Sequence, residues 1–236
     1  MRGFDRPLKP EWVYEIINKL EVGDTISDYK EELDKVLIEL NGKTGKRKVR
    51  TVIGRYFLKD LDKPRQRTVQ DSISFNLIKD LGFEKAKPLI LFNILVKAPI
   101  LQYFSKQLFK LYSGQRDINS DFMRRKAYEK IGERDIARRS LRNFLSTLVD
   151  FDILQQVDRT NFKWRQQLEV SEDNFVNFLK LYSEFYLKSP QVSLYDLPEH
   201  LFFYFDLPDV KEVAQKYNNV HWDYTRRLKA AIVTLY

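Results

Sequence analysis

Apolar positions recur at helical spacing along the first two thirds of the chain. Glu11–Leu20 places Trp12, Ile16 and Leu20 on one face, with Val13 and Ile17 beside it. A second helix runs to Leu40, with Asp24 or Ser27 as its cap and Tyr29, Leu33, Val36, Leu37 and Leu40 as its apolar stripe. Asn41-Gly42 closes it. After Lys43-Thr44-Gly45 the pattern predicts a basic helix from Lys46 to about Leu61, stopped by Pro64. Its core face is Val49, Ile53 and Phe57 at i, i+4 and i+8. Leu89–Tyr112 reads as a long buried apolar helix, with a kink or break where Lys97 and Pro99 interrupt it. Asn119 or Ser120 caps a shorter helix carrying Phe122, Met123, Ala127, Tyr128 and Ile131, which Gly132 ends. Glu133–Asp135 opens a third, whose inner face is Ile136, Leu141, Phe144, Leu145, Leu148 and Val149.

The period then changes. Leu154–Val157 and Phe162–Val170 are β-prone runs around the polar turn Asp158–Asn161. From Ser171 the chain is aromatic-rich, and Pro190, Pro198 and Pro208 divide it into short helices. A last helix is expected over Trp222–Tyr236, with Leu228, Ile232 and Leu235 on one side. The expected fold class is all-α, mainly helical, with a small β-hairpin wing and a winged-helix-like central domain. Three regions follow: 1–86, N-terminal, basic and helical; 87–170, winged-helix-like; and 171–236, C-terminal, aromatic-rich and helical.

Composition narrows the function. The chain has 236 residues, 43% of them hydrophobic, which suffices for a substantial core. Eight glycines and eight prolines are too few for a turn-dense all-β fold. With no cysteine there is no disulfide framework and no thiolate metal site. Two histidines, His200 and His221, leave little for zinc or His-based catalysis. Residues 1–12 lack the apolar run of a signal peptide, and the stretch Pro88–Phe104 is too short and too interrupted to span a bilayer. A soluble, cytoplasmic protein without membrane contact is expected.

Charge is concentrated. Between Asn41 and Gln70 stand Lys43, Lys46, Arg47, Lys48, Arg50, Arg55, Lys59, Lys63, Arg65 and Arg67, opposed only by Asp60 and Asp62. That window carries +8, the formal net charge of the whole chain. Such a field attracts polyanions. Solvated surface lysines are the plainer reading of the same residues.

The order of helix, helix, polar-faced helix and β-turn-β resembles the winged-helix DNA-binding fold. The resemblance implies that the third helix enters the major groove and the hairpin touches the backbone. Arg138, Arg139, Arg142, Asn143 and Ser146 would then face the groove, since Arg and Asn suit bidentate reading of guanine and adenine edges. Arg159, Lys163 and Arg165 would meet phosphates from the wing. Trp164, between two of those cations, is a candidate for stacking on a base, although aromatics at strand spacing more often belong to a core. A strand between the first two helices, common in this fold, is missing from the pattern. Winged helices also serve as protein-interaction modules.

Three segments are similar to the BrxA family of bacterial BREX phage-defence systems. They are the basic stretch Lys43–Arg55, the apolar helix Leu89–Leu111 with its Ala98-Pro99 pair, and the Arg-containing run Arg138–Leu154. The resemblance implies a mostly helical, non-enzymatic DNA-binding component working beside other defence-system proteins. The residues after about 170 extend beyond it.

Enzymatic motifs are lacking. There is no Walker A loop, no Gly-x-Gly-x-x-Gly and no Gly-x-Ser-x-Gly. Glu172-Asp173 and Asp206–Asp209 read as caps or surface charges rather than as metal ligands. The reading is therefore a non-enzymatic protein that binds duplex DNA with low sequence specificity, without cofactor, catalytic residue or metal. An RNA-binding module and a structural subunit whose winged helix contacts protein are the alternatives.

Overall fold

A computed structural model describes residues 3–59, 67–114, 117–132, 135–227 and 230–236. Leu61, Lys63, Pro64, Arg65, Glu133 and Leu228, and the two aspartates of the basic window, lie outside the described residues.

The N-terminal part is helical. An extended segment leads into α1 (Pro10–Lys19), where proline at the first position costs no hydrogen bond because that N–H has no helical partner. Then come α2 (Lys30–Val36) and α3 (Lys43–Tyr56). The second helix is shorter than its apolar stripe, and no side chain caps it. Instead Asp28 folds back on Thr25 in a local turn. The basic helix starts at Lys43, three positions before the expected Lys46, directly after Gly42 at φ +86°. Its Val49, Val52, Ile53 and Tyr56 are buried.

Next is α4 (Ile73–Ile78), capped by the Ser72 hydroxyl, which accepts from the Phe75 N–H. The apolar stretch beyond it is two helices, α5 (Phe83–Lys97) and α6 (Pro99–Tyr112), with the chain bent by 104° between them. The break is local chemistry: Pro99 forces Ala98 out of the helical region, to ψ 99°. Buried residues occupy every face of α5 from Leu89 to Lys97, so it forms the centre of the molecule. Among the described residues no single helix is long and apolar enough to cross a membrane.

A strand does stand before the next helix. β1 (Asp117–Asn119) precedes α7 (Ser120–Ile131) and α8 (Asp135–Asp150), and β2 (Leu154–Gln156) and β3 (Asn161–Trp164) form the hairpin. Pairing is antiparallel in the order β1-β3-β2, with Ile118 opposite Phe162 and Leu154 opposite Trp164. Asn119 caps α7 by accepting from the Phe122 N–H, and Gly132 at φ +81° ends that helix.

The C-terminal third corrects the expected fold class. β4 (Leu168–Glu169) pairs in parallel with β6 (Phe205–Asp206). Between them lie α9 (Glu172–Leu181), a π-helical turn (Tyr182–Leu187), β5 (Gln191–Ser193) and α10 (Glu199–Phe202). After α11 (Val210–Lys216), the expected last helix is instead the antiparallel pair β7 (Trp222–Arg227) and β8 (Ala230–Leu235). Burial alternates there, with Ala231 and Val233 inside and the β-branched Ile232 and Thr234 less so. The protein is mixed α/β, with three small sheets among the described residues, rather than all-α with one hairpin, and a winged-helix domain is not shown by this architecture.

All three sequence regions contribute to one continuous core. Phe92 of α5 stacks on Phe178 of α9, with ring centroids 4.2 Å apart and planes 5° apart. Phe202 and Phe205 pack at 5.0 Å and 5.8 Å from the same ring.

One carboxylate works against the fold at neutral pH. Asp150, at the end of α8, is pushed up to about 6, chiefly by burial and further by Glu11, Glu39 and Asp152, with Lys9 opposing. The folded state therefore holds a proton that the unfolded chain releases between about pH 4 and pH 6. Its contribution is favourable at low pH and is lost as pH rises through that window. Asp150→Asn is expected to raise stability at pH 8 by about 1 kcal/mol, after allowance for solvent screening, and to change nothing at pH 4. Urea unfolding at the two pH values checks this.

Candidate nucleic-acid interface

The outer face of α8, the start of α7 and the tip of the β2–β3 hairpin enclose a cleft of about 620 Å³. Five arginines line it: Arg124 from α7, Arg138, Arg139 and Arg142 from α8, and Arg159 from the hairpin turn. Ser120, Ser146, Gln156 and Thr160 add polar groups between them, and Leu141, Leu145 and Phe162 lie beneath. Among the described residues the carboxylates lining it are Asp121 and Asp135. Arg138 and Arg139 each donate from Nη2 to Asp135, at 3.0 Å and 2.9 Å. Arg124 is 3.2 Å from Asp121. Arg142 and Arg159 are exposed, and neither is held by a carboxylate among the described residues.

The cleft walls are tied together. Asp158 accepts from the backbone N–H groups of Thr160 and Asn161, at 2.8 Å and 2.9 Å, and from the Asn161 amide at 2.8 Å. These donors hold its carboxyl down at about 2, led by the Asn161 side chain. The Asn119 amide donates in turn to Asn161 Oδ1 at 2.9 Å, while Asn119 Oδ1 caps α7. Ser120 N–H also donates to Thr160 O at 2.8 Å. One chain of polar contacts thus fixes the spacing between the hairpin tip and the first turn of α7. Val157 and Arg159 project from this rigid turn, both exposed.

The expected site residues divide into groups. On α3, Lys43, Arg47 and Lys48 are exposed. They stand on one side of the helix, with Thr51 one turn beyond Arg47. Lys46 is engaged, donating to Asp34 O at 2.8 Å. Arg50 is also engaged, bonding Asp34 Oδ1 at 2.7 Å with its side chain only 12% exposed. Arg55 reaches Gly3 O at 3.5 Å and lies 5.9 Å from the Tyr56 ring centroid. Of the hairpin cations, Arg165 pairs with Asp152 at 2.9 Å and Lys163 stands 3.8 Å from Asp117.

Two expected contacts are corrected. Asn143 does not face a groove. It is buried, and its amide donates to Phe4 O at 2.8 Å. Ser140 and Thr147 serve the same segment, accepting from the backbone of Phe4 at 2.8 Å and of Leu8 at 3.0 Å. These three polar residues, at i, i+3 and i+7, form a stripe on which residues 3–9 dock. Trp164 is the second correction. It packs edge-on against Phe203 at 5.3 Å and close to Tyr204 at 6.2 Å, so its ring is committed to the core boundary. Ser146 remains at the cleft edge. Arg124, Gln156 and Thr160 belong to the cleft although the sequence pattern did not single them out; the Arg124-Arg125 pair opposite the α7 core residues was the available signal.

The docked N-terminal segment also connects the two basic surfaces. The backbone at Gly3, where Arg55 of α3 reaches, packs against Ile136 and Ser140 of α8. From Arg55 at that junction to Lys43 at the start of α3 is about 18 Å along the helix, and the exposed Arg47 and Lys48 lie between them. No group of His, Asp and Glu able to hold a metal ion occurs among the described residues. Comparison with family models, curated proteins and solved structures gives no match to this chain.

Proposed function

We propose that the protein binds duplex DNA non-enzymatically and with low sequence specificity, through phosphate contacts. The observation that carries this reading is the arginine-lined cleft. It brings five guanidinium groups together from three elements, and two of them have no carboxylate to hold them among the described residues. Guanidinium forks match phosphate oxygens in two-point geometry. Lys43, Arg47 and Lys48 supply further phosphate contacts from α3. Low specificity follows from the buried Asn143, which removes the best adenine-reading side chain from the surface. The resemblance to BREX components is part of the same proposal. A large methyltransferase gene and an ATPase gene beside this protein's own would support it, and their absence would count against it.

The test is a salt-titrated mobility-shift assay on duplex DNA, single-stranded DNA and RNA side by side. Engagement of about seven phosphates predicts a slope of log affinity against log salt near −6. Affinity is then expected to fall roughly 4,000-fold between 50 and 200 mM salt. A flat response, or no duplex binding at low salt, overturns the reading. Preference for RNA moves it to an RNA-binding module.

A further inference from the structure

We propose that Asp135 is a built-in competitor for nucleic-acid phosphate, so that the cleft is held partly closed to anions until a polyanion displaces it. This rests on the phosphate-binding reading of the cleft. The geometry is that of an anion already bound. One carboxylate takes an N–H from each of two arginines, Oδ1 from Arg138 and Oδ2 from Arg139, much as a phosphate would. The guanidinium groups keep the Asp135 carboxyl below the usual carboxylate range, led by the hydrogen bond from Arg139, so it stays charged throughout the physiological range. The contact is nevertheless weak enough to exchange. The side chains are 63% exposed for Asp135 and 58% and 57% for the two arginines, and exposed ion pairs hold loosely.

The consequence is a threshold. A single phosphate must displace Asp135 to reach Arg138 and Arg139, and among the described residues of the cleft Arg142 and Arg159 are the arginines left open to it. A duplex engages those two free arginines first and is then held in place at high local concentration beside the other pair. The device favours long polyanions over free phosphate and nucleotides. The opposite role is also defined: Asp135 orients the two arginines for ligand and is kept on binding. The two roles predict opposite signs for the same substitution.

The experiment compares Asp135→Asn with Asp121→Asn on the full chain, using a 20-bp duplex at about 150 mM salt. Both substitutions remove one negative charge from the same cleft, but among the described residues Asp121 pairs with Arg124 and not with Arg138 or Arg139. As a competitor, Asp135→Asn binds about fivefold or more tighter, against less than twofold for Asp121→Asn. Adding Arg138→Gln and Arg139→Gln abolishes that gain. Inorganic phosphate also competes with duplex at lower concentration for Asp135→Asn than for the parent chain. Equal gains from the two substitutions overturn the proposal by reducing it to net charge. Weaker binding by Asp135→Asn overturns it in favour of an orienting role. Failure of every protein to bind any duplex overturns the DNA reading and this inference together, whereas binding with no change at Asp135 overturns this inference alone.

Discussion

Charge reversal at the two free arginines, Arg142→Glu with Arg159→Glu, is expected to weaken duplex binding by about 100-fold or more at 150 mM salt. Each substitution removes a phosphate contact and places a like charge beside the backbone. The salt slope should become shallower by about two, one for each lost contact. Neither side chain has a carboxylate partner among the described residues, and both are exposed, so the melting temperature should hardly move. That separation of affinity from stability is what makes the pair informative. Asn143→Ala is the complementary control. It strips the buried donor from Phe4 O and should cost about 1–3 kcal/mol of stability, with the salt slope unchanged. Reversal of Lys48 and Arg47 on α3 should reduce affinity less steeply, because those cations lie on an open helix face rather than in a cleft. An undiminished affinity in the Arg142/Arg159 variant would remove the cleft from the interface and leave α3 as the sole candidate.

The positions of those two arginines were legible in the sequence, and the position of Asn143 was not. Periodicity places Arg138, Arg139 and Arg142 on the outer face of α8, and there they stand. The same periodicity puts Asn143 at the edge of that face, where a polar residue reads as exposed. Its burial depends on residues 3–9, an extended segment more than a hundred positions away whose backbone needs partners. Helical pattern carries no information about such a distant strand-like ligand. The signal that was present is the spacing Ser140, Asn143, Thr147, three small polar side chains on one stripe of an otherwise apolar-backed helix.

The C-terminal third shows a second limit of the same kind. Leu228, Ile232 and Leu235 are compatible with one helix face, but Ala230 to Leu235 is also a run with Ile, Val and Thr in succession. The period-2 pattern wins because β5 supplies a pairing edge, with Val192 opposite Val233. Short β-prone runs gain from such partners, and the partner here is contributed from forty residues upstream in a region broken by prolines. By contrast, Ala98-Pro99 was legible from local sterics alone, and the chain breaks there. Local chemistry is readable from the sequence, whereas pairings that depend on distant chain are not.

The largest effect on stability is expected from Phe178→Ala. The Phe178 ring is fully buried, stacks on Phe92 at 4.2 Å and meets Phe205 edge-on at 4.8 Å. Its removal leaves a cavity where α9, the central helix α5 and the β6 strand come together. Truncation of a buried phenylalanine costs about 3–5 kcal/mol, out of a total of about 5–15 kcal/mol for a typical domain. For a chain of this size the melting temperature should fall by about 10 °C. Phe178→Leu, which keeps most of the volume, should cost far less. The chain also contains its own reporters for the extent of the loss. Trp12 lies on α1, Trp164 on β3 and Trp222 on β7, all buried or half-buried in different parts of the molecule. Because Phe92 belongs to a core shared by all three regions, the variant should shift one cooperative urea transition seen alike by all three tryptophans, each monitored in turn with the other two replaced by phenylalanine. A variant in which Trp222 unfolds well before Trp12 would show instead that the C-terminal sheet is a separate unit docked on the helical body, and that the Phe92–Phe178 stack is the joint between them.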